Sequence, residues 1–486
     1  MTQTERVSAL LRESAPLSVP EIVRREIDEF RTSERFHEML SAARYFENRS
    51  DIEKKTNDVS PRLSNSRIEH PFYWKFITQK CRYLLARPFS VTTESPDYAG
   101  ALNDFFDADF RNRIRAAASD SIEFGIAFLQ PYFDAAGVLR VQKLLPTEVI
   151  PLWTDAGHER LDAFIRFYDV VAYVGREKGR ITRAEFWDAS GVVRMETAFN
   201  GTELRVQSTE PHFTVGGKAY NWESPPLVWL RYNDAELPLL RFVKALIDDI
   251  NWQTSVTSDV LRDVVRCIYV LRGYGGADLA EFVADLRKSL AIKLDADGGV
   301  DTLSPQVDTA NVLAYLDAAR RELYDAASAV DTRDPELGTA SGTALLFRYM
   351  DLDGDCADLA AGISAMFRRL KVYLDAYFKL SGRGDFAGVP FDILCNADMP
   401  VNETDIINNA RTSSELLSRR TVLANHPWVK DVDAELAAID KEKQAALERY
   451  GEGLFGGENV PDTTASVIHD AGGTLAASGI LAAGNE

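Results

Sequence analysis

The chain has 486 residues, 45% of them hydrophobic, enough for several domains around a real core. Its formal net charge of −19 repels polyphosphate and excludes a conventional nucleic-acid binder. The opening stretch MTQTERVSALLRES has no apolar signal region, and no apolar run reaches the roughly 18 residues of a membrane span, so neither secretion nor membrane insertion is expected.

Charged helices occupy residues 1 to about 60. Pro20 starts one at Glu21 that runs through Ile22, Val23, Ile27 and Phe30; its partner runs through Phe36, Met39, Leu40, Ala43 and Tyr45. Cys81 is the first of four cysteines. It and Cys267, Cys356 and Cys395 form no CxxC pair and read as reduced, mostly buried thiols rather than a zinc site. Between Pro71, suited to a first helical turn, and Pro88, a stop, Phe72, Phe76, Ile77, Tyr83 and Leu84 recur at helical spacing. Residues 97–129 continue as helix with Phe105, Phe106, Ile114, Ile122 and Phe124.

From Ala127 the period falls to two. Phe128, Gln130 and Tyr132, the turn Asp134-Ala-Ala-Gly137 and residues 138–144 predict a hairpin. Further strands at 149–153, 163–168, 170–173, 183–187, 192–197 and 227–230 make this block α+β.

Asn233 and Pro238 mark the start of a helix expected to run to Arg272, where Gly273 stops it, roughly 50 Å at helical rise. Both ends are apolar, but Asn251–Asp259 is mostly polar. That pattern suits a helix packed at its two ends or against identical neighbours. An insert follows: the turn Gly273–Gly276, a short helix Asp278–Lys288, and a hairpin of Ile292–Leu294 with Val300–Leu303. A helix from Thr309 to about Val330 returns from it. Then comes a polar loop, Val330-Asp-Thr-Arg-Asp-Pro-Glu-Leu-Gly-Thr-Ala-Ser-Gly-Thr-Ala-Leu345, between two helical segments. The next run, Thr343 to Leu380, contains Gly354 and Gly362, which predict a bend. After Phe391–Leu394, helices are predicted from about Asn402 to Ala424 and from about Asp433 to Tyr450. Residues 452–486, with five acidic residues and no Lys or Arg, read as a disordered tail.

No catalytic constellation emerges. Gly338-Thr-Ala-Ser-Gly342 misses the G-x-S-x-G spacing, so Ser341 reads as a loop residue; no P-loop motif exists, and Gly273-Tyr-Gly-Gly276 is not a dinucleotide fingerprint. The six histidines form no metal-ligand pair, and the adjacent Asp248 and Asp249 point apart on a helix. Asp351-Leu-Asp-Gly-Asp-Cys-Ala-Asp358 resembles the start of a calcium loop, but its glycine is misplaced and Gly362 stands where Glu is required. A charged helix patch is the reading, with a divalent-cation site at Asp351, Asp353 and Asp355 left open. No cofactor and no enzymatic activity are expected. A carboxylate-dependent hydrolase in residues 120–236 and an acidic oligomeric scaffold or adaptor remain the alternatives.

The order of elements, together with Asn65–Pro88, Leu144–Pro151, Leu271–Gly276, Asp297–Leu303 and Val330–Leu345, resembles the portal proteins (head–tail connectors) of tailed double-stranded-DNA bacteriophages, siphophage branch. The resemblance spans about residues 40–450. It implies a mainly helical α+β portal fold, assembled in the host cytoplasm and carried in the virion as a ring of about twelve copies at one capsid vertex. Within it, 1–236 would be the wing, 237–272 and 308–330 the stem helices, and 273–307 the clip. Residues 331–342 would be the tunnel loop, 343–394 a long bent helix and return strand of the wing, 395–451 the crown, and 452–486 the tail. DNA would be packaged and ejected through the centre without sequence-specific binding.

The implied partners are other copies of the chain, the terminase large subunit, a head-completion adaptor, and the major capsid and scaffolding proteins; no membrane is involved. Asp331, Thr332, Arg333, Asp334, Glu336, Gly338, Ser341 and Gly342 would form the loop facing DNA. Tyr274, Asp278, Glu281, Arg287, Lys288, Asp295 and Asp297 would be clip contacts. The residues themselves agree. The half-polar helix suits a stem packed on copies of itself. Segment 308–347 carries seven acidic and three basic residues, and Asp331, Asp334, Glu336 and Arg333 put charge on the loop. An acidic wall repels phosphates over about 8 Å at physiological salt.

Overall fold

The computed structural model describes residues 18–56, 64–263, 268–272, 299–303, 309–334, 342–396, 407, 411–414, 416–424, 429 and 432–452. The chain divides into two compact units, Met1–Pro400 and Val401–Glu486. Among the described residues no helix is long and apolar enough to cross a membrane.

In the first unit, α1 (Val19–Thr32) begins where the Glu21 carboxylate accepts the N–H and hydroxyl of Ser18. Ser33 ends it and caps α2 (Glu34–Phe46), its hydroxyl accepting the Phe36 N–H. α3 (Phe72–Leu85) follows Pro71 directly. The expected helix over 97–129 is two helices, α4 (Pro96–Phe105) and α5 (Ala108–Phe124). The cause is Asp107, whose carboxylate takes the Phe110 N–H at 2.7 Å and restarts the helix. α5 ends at Gly125, where φ is +87° and an added Cβ would lie 2.0 Å from the Glu236 carbonyl oxygen.

That turn delivers the chain into β2 (Ile126–Phe133), which pairs with β3 (Leu139–Leu144) as predicted, from Phe128↔Leu144 to Phe133↔Leu139. β4 (Val149–Trp153), β5 (Leu161–Val174), β6 (Glu177–Asp188), β7 (Gly191–Thr197) and β8 (Leu204–Glu210) form a second, antiparallel sheet in chain order. The two strands expected at 163–168 and 170–173 are one, because Asp169 pairs across to Thr182 and accepts its hydroxyl. β8 and the small hairpin β9 (Phe213–Val215) with β10 (Lys218–Tyr220) had no clear signal, since β8 is exposed on both faces over most of its length. β11 (Val228–Arg231) completes the first sheet beside β2.

Three helices complete the unit: α6 (Leu240–Asp263), α7 (Thr309–Ala326) and α8 (Gly342–Leu380). The largest core cluster includes Phe76 of α3, Leu323 of α7, and Phe367, Leu374 and Phe378 of α8. α8 runs unbroken through Gly354 and Gly362. Gly362 serves close packing: a Cβ there would lie 3.1 Å from both the Arg231 carbonyl oxygen and Leu230. β1 (Ser90–Thr93) pairs with β14 (Phe391–Leu394), bringing the end of the unit back to its beginning.

The helix expected to run to Arg272 does not reach it, because β12 (Ile268–Arg272) is a strand; α6 is described as far as Asp263. It pairs with β13 (Gly299–Leu303), from Ile268↔Leu303 to Arg272↔Gly299, a pairing not expected from the sequence. The predicted strand Ile292–Leu294 and helix Asp278–Lys288 lie outside the described residues. In the second unit the helix expected over 402–424 is broken: a turn around Ser414 precedes a fresh start at Ser418, whose hydroxyl caps α9 (Arg419–Ala424). α9 packs with α10 (Val432–Glu452).

The polar stripe of α6 has an owner within the chain. The extended segment Ser64–His70 lies along the helix and donates a backbone N–H from every second residue. Ser64 donates to Asp263 at 2.9 Å, Ser66 to Asp259 at 2.6 Å, Ile68 to the Ser255 hydroxyl at 2.8 Å, and His70 to Asn251 at 3.1 Å. Two extended residues span about 6.6 Å and four helical residues about 6.0 Å, so the two repeats stay nearly in step over four rungs. Asn251 and Ser255 are fully buried, and Asn251 also donates to Ser50. The stripe Asn251, Ser255, Asp259 and Asp263 therefore packs on this strap within the chain, a partner not foreseen from the sequence.

Replacing Gly125 with Ala should cost more than about 3 kcal/mol, or prevent folding, since the backbone of Glu236 has no room to yield; denaturant unfolding of the soluble fraction measures it. The Asp259 rung carries a pH signature. Burial pushes this carboxyl up, but the Lys55 ammonium and Ser66 outweigh it and hold it below its ordinary range. A depressed folded-state pKa contributes stability above about pH 4 that is lost as pH falls through the folded value. Asp259→Asn should therefore flatten the stability curve between about pH 5 and pH 2, read from urea midpoints.

Candidate functional site

The polar loop leaves α7 through a left-handed residue, Ser328 (φ +45°). Ala329 N–H reaches back to the Tyr324 carbonyl and Ser328 N–H to that of Asp325, a helix-ending pattern that glycine usually fills. The strain is held by what surrounds it.

α3 supplies most of that hold. Lys75, Gln79 and Tyr83 recur every four residues and so share one side of the helix. Lys75 Nζ donates to the Tyr324 hydroxyl at 2.7 Å. The Gln79 amide donates to the Val330 carbonyl at 2.9 Å and accepts the Val330 N–H at 3.1 Å, closing both backbone groups of the residue that opens the loop. Lys80 is fully buried; its ammonium donates to the Ser328 carbonyl at 3.0 Å and to Asp355 of α8 at 2.8 Å. Asp355 accepts the Tyr232 hydroxyl with its other oxygen, and Tyr83 donates to Asp353. Burial, then Asp355, push the Tyr232 phenol up, so it remains a donor. Since the strap Ser64–His70 runs into α3 at Pro71, the contacts of α6 and the base of the loop sit on one continuous stretch of chain.

Of the predicted loop residues, Asp331 is drawn into a two-point ion pair with Arg320 at 2.5 and 2.9 Å, and it accepts the Arg333 N–H. Partial burial pushes the Asp331 carboxyl up, but Arg320 prevails and holds it below the ordinary carboxylate range. Asp334 pairs with Arg348 at the start of α8. These two acids thus hold the loop's described end in place instead of offering free negative charge, which corrects that part of the acidic-wall expectation. Thr332 and Arg333 are exposed. Glu336, Gly338 and Ser341 lie outside the described residues, as do the clip candidates Tyr274, Asp278, Glu281, Arg287, Lys288, Asp295 and Asp297; Gly342 is the first residue of α8.

Asp351, Asp353 and Asp355 stand on α8, not on a loop. Two of them are occupied by Tyr83, Tyr232 and Lys80, and among the described residues no group of His, Cys, Asp and Glu could hold a metal ion. Cys81 and Cys356 are buried, free thiols whose pKa burial pushes up to about 12, and Cys395 is free as well. Cys267 lies outside the described residues. Sequence reasoning missed Gln79, Lys80, Arg320 and Arg348. The available signal was Lys80, a charge set within the apolar run Phe76, Ile77, Cys81 and Leu84.

Residues 30–449 match the family of phage portal proteins like Gp6 of phage SPP1. The chain belongs to that family. It is 27% identical to the portal protein of Bacillus phage SPP1 over 93% of this chain and 92% of the relative. It is 25% identical to the portal protein of Clostridium phage phiCD119 over 84% of this chain and 93% of the relative. Among solved structures, a chain from the neck of a native GTA particle is similar at a TM-score of 0.41 and 12% identity, covering 74% of this chain and 90% of that one. The family match favours the portal reading over a scaffold, an adaptor or a hydrolase.

If the buried pair governs the loop's base, Lys80→Met should lower stability by about 3 kcal/mol, because Asp355 loses its cation in a low-dielectric setting. Combining Lys80→Met with Asp355→Asn should recover part of that loss in urea unfolding, since a neutral amide leaves no orphaned charge and its oxygen still accepts the Tyr232 hydroxyl.

Proposed function

We propose that this chain forms the ring-shaped channel at one capsid vertex through which double-stranded DNA enters and leaves the head, and that it carries no catalysis of its own. Family membership across most of the chain supports the reading. In it, residues 1–236 are the wing, α6 and α7 the stem, 273–307 the clip, 331–342 the tunnel loop, 343–394 the helix and strand returning to the wing, and 395–451 the crown. The terminase large subunit and a head-completion adaptor dock on the clip, and the major capsid and scaffolding proteins meet the outer parts.

The observation that carries the loop assignment is its anchoring. A segment that meets a moving duplex must be fixed at its ends and free between them. Gln79, Lys80 and Arg320 hold one end, and Arg348 holds the Asp334 side close to the start of α8. Arg333 is the exposed charge available to a passing phosphate, and a single such contact adds little lasting affinity. Segment 308–347 retains its acidic excess, which keeps the duplex sliding.

Purified chain viewed by negative stain, with native mass spectrometry, should give rings with a central hole; a solitary polypeptide that is also absent from virion necks would refute the proposal. Replacing Gly338 and Gly342 together with Ala should leave the ring assembled yet reduce DNA packaged per head, because the loop and its junction with α8 lose backbone freedom. Unchanged packaging would remove the loop from the mechanism.

A further inference from the structure

β5 and β6 outrun their neighbours. β4 pairs only with Leu161–Arg166 and β7 only with Arg183–Asp188, so beyond Asp169 and Thr182 the two strands project as a ribbon. The ribbon is ordered. Asp169 takes Arg31 of α1 at 3.0 Å, and Asn200 accepts the Arg180 N–H and donates its own N–H to the Arg180 carbonyl, both at 2.9 Å.

Val171 lies directly across from Arg180, and Tyr173 from Lys178, so all four side chains share one face. Val171 is 53% exposed and Tyr173 69%. In a chain of net charge −19, residues 176–183 carry Arg176, Lys178, Arg180 and Arg183 against a single acid, Glu177. Arg183 is engaged by Glu196 at 3.5 Å, and Arg180 approaches Asp169 only to 4.0 Å. Arg176 and Lys178 have no ion-pair partner among the described residues. An ordered, exposed face of tyrosine, valine and cations is a surface built for an acidic, partly apolar partner.

The same unit exposes a run of acidic charge along one stretch of chain. No Lys or Arg occurs between Arg87 and Arg111, while Glu94, Asp97, Asp104, Asp107 and Asp109 are all exposed. Asp107 is spent on capping α5, and Asp104 stands 3.8 Å from Arg383. Glu94, Asp97 and Asp109 have no ion-pair partner among the described residues, and no ion pair joins this shoulder to the ribbon within one chain. The two patches are complementary, different and both unspent. Pairing of unlike patches between copies is head-to-tail, and it closes into a ring when the rotation closes.

We propose that the Val171–Tyr173–Lys178–Arg180 face of one copy docks on the Glu94–Asp97–Asp109 shoulder of its neighbour. The contact rests on the ring assembly proposed above. It offsets the mutual repulsion of strongly acidic copies, so it weakens as salt is raised.

The test uses the full chain at physiological salt, with native mass spectrometry and light scattering reporting the fraction in rings. Lys178→Glu with Arg180→Glu should lower that fraction by about tenfold or more through like-charge juxtaposition. Glu94→Lys, Asp97→Lys and Asp109→Lys together should do the same, and combining the two sets should restore rings. Thermal unfolding should be unchanged in the ribbon variant, since its side chains are exposed. Rings that form normally in the ribbon variant overturn the proposal. So does a defect that the combined swap leaves unrepaired, which would give the ribbon a different occupant. Wild-type chain that forms no rings at all fails at the earlier step and refutes the assembly itself.

Discussion

The ladder between the extended segment Ser64–His70 and the polar stripe of α6 is the constraint on which the rest of the larger unit depends. A long helix with Asn, Ser and Asp along one side cannot bury that side against an apolar core, because each unpaired polar group removed from water costs about 1–3 kcal/mol. Here the side chains at Asn251, Ser255, Asp259 and Asp263 accept from a backbone that would otherwise have no sheet to join. Each partner satisfies the other's need. The near match of two extended residues to one helical turn sets the register, and a slip would unpair several buried groups together.

What the ladder fixes is carried along the chain. Pro71 turns the strap into α3, and Lys75, Gln79, Lys80 and Tyr83 then reach Tyr324, Val330, Ser328, Asp355 and Asp353. The base of the polar loop is thus tied to α6 through covalent chain and a few short, strong contacts instead of through a broad interface. Lys80 is central because it has no water to fall back on. Its two acceptors lie on different elements, so both elements must be placed for the charge to be tolerated. The left-handed Ser328 follows from the same logic, since its carbonyl is one of those acceptors.

The charge arrangement follows a second rule. The chain is acidic overall, yet its acids are used unevenly. Those at the loop's described end, Asp331 and Asp334, are matched to Arg320 and Arg348 and serve as anchors. Those on the shoulder at Glu94, Asp97 and Asp109 are left to solvent. Under the proposed channel reading, the net negative charge keeps a passing duplex from being retained, and the local pairing holds the loop's described end.

Periodicity and punctuation in the sequence determined much of the architecture: the hairpin around Asp134–Gly137, β4 and β7, the helix after Pro71, the order of elements and, through that order, the family. These are signals within a few residues, where backbone preference and side-chain alternation act locally. Tertiary structure alone decided that 268–272 leaves the helix, its pairing with 299–303, and the partner of the polar stripe. It also turned Asp353 and Asp355 from candidate metal ligands into acceptors for Tyr83, Tyr232 and Lys80. The physical reason is distance along the chain. Asn251 and His70 are 181 residues apart and Lys80 and Asp355 are 275 apart, and no local pattern records which buried donor will meet which acceptor.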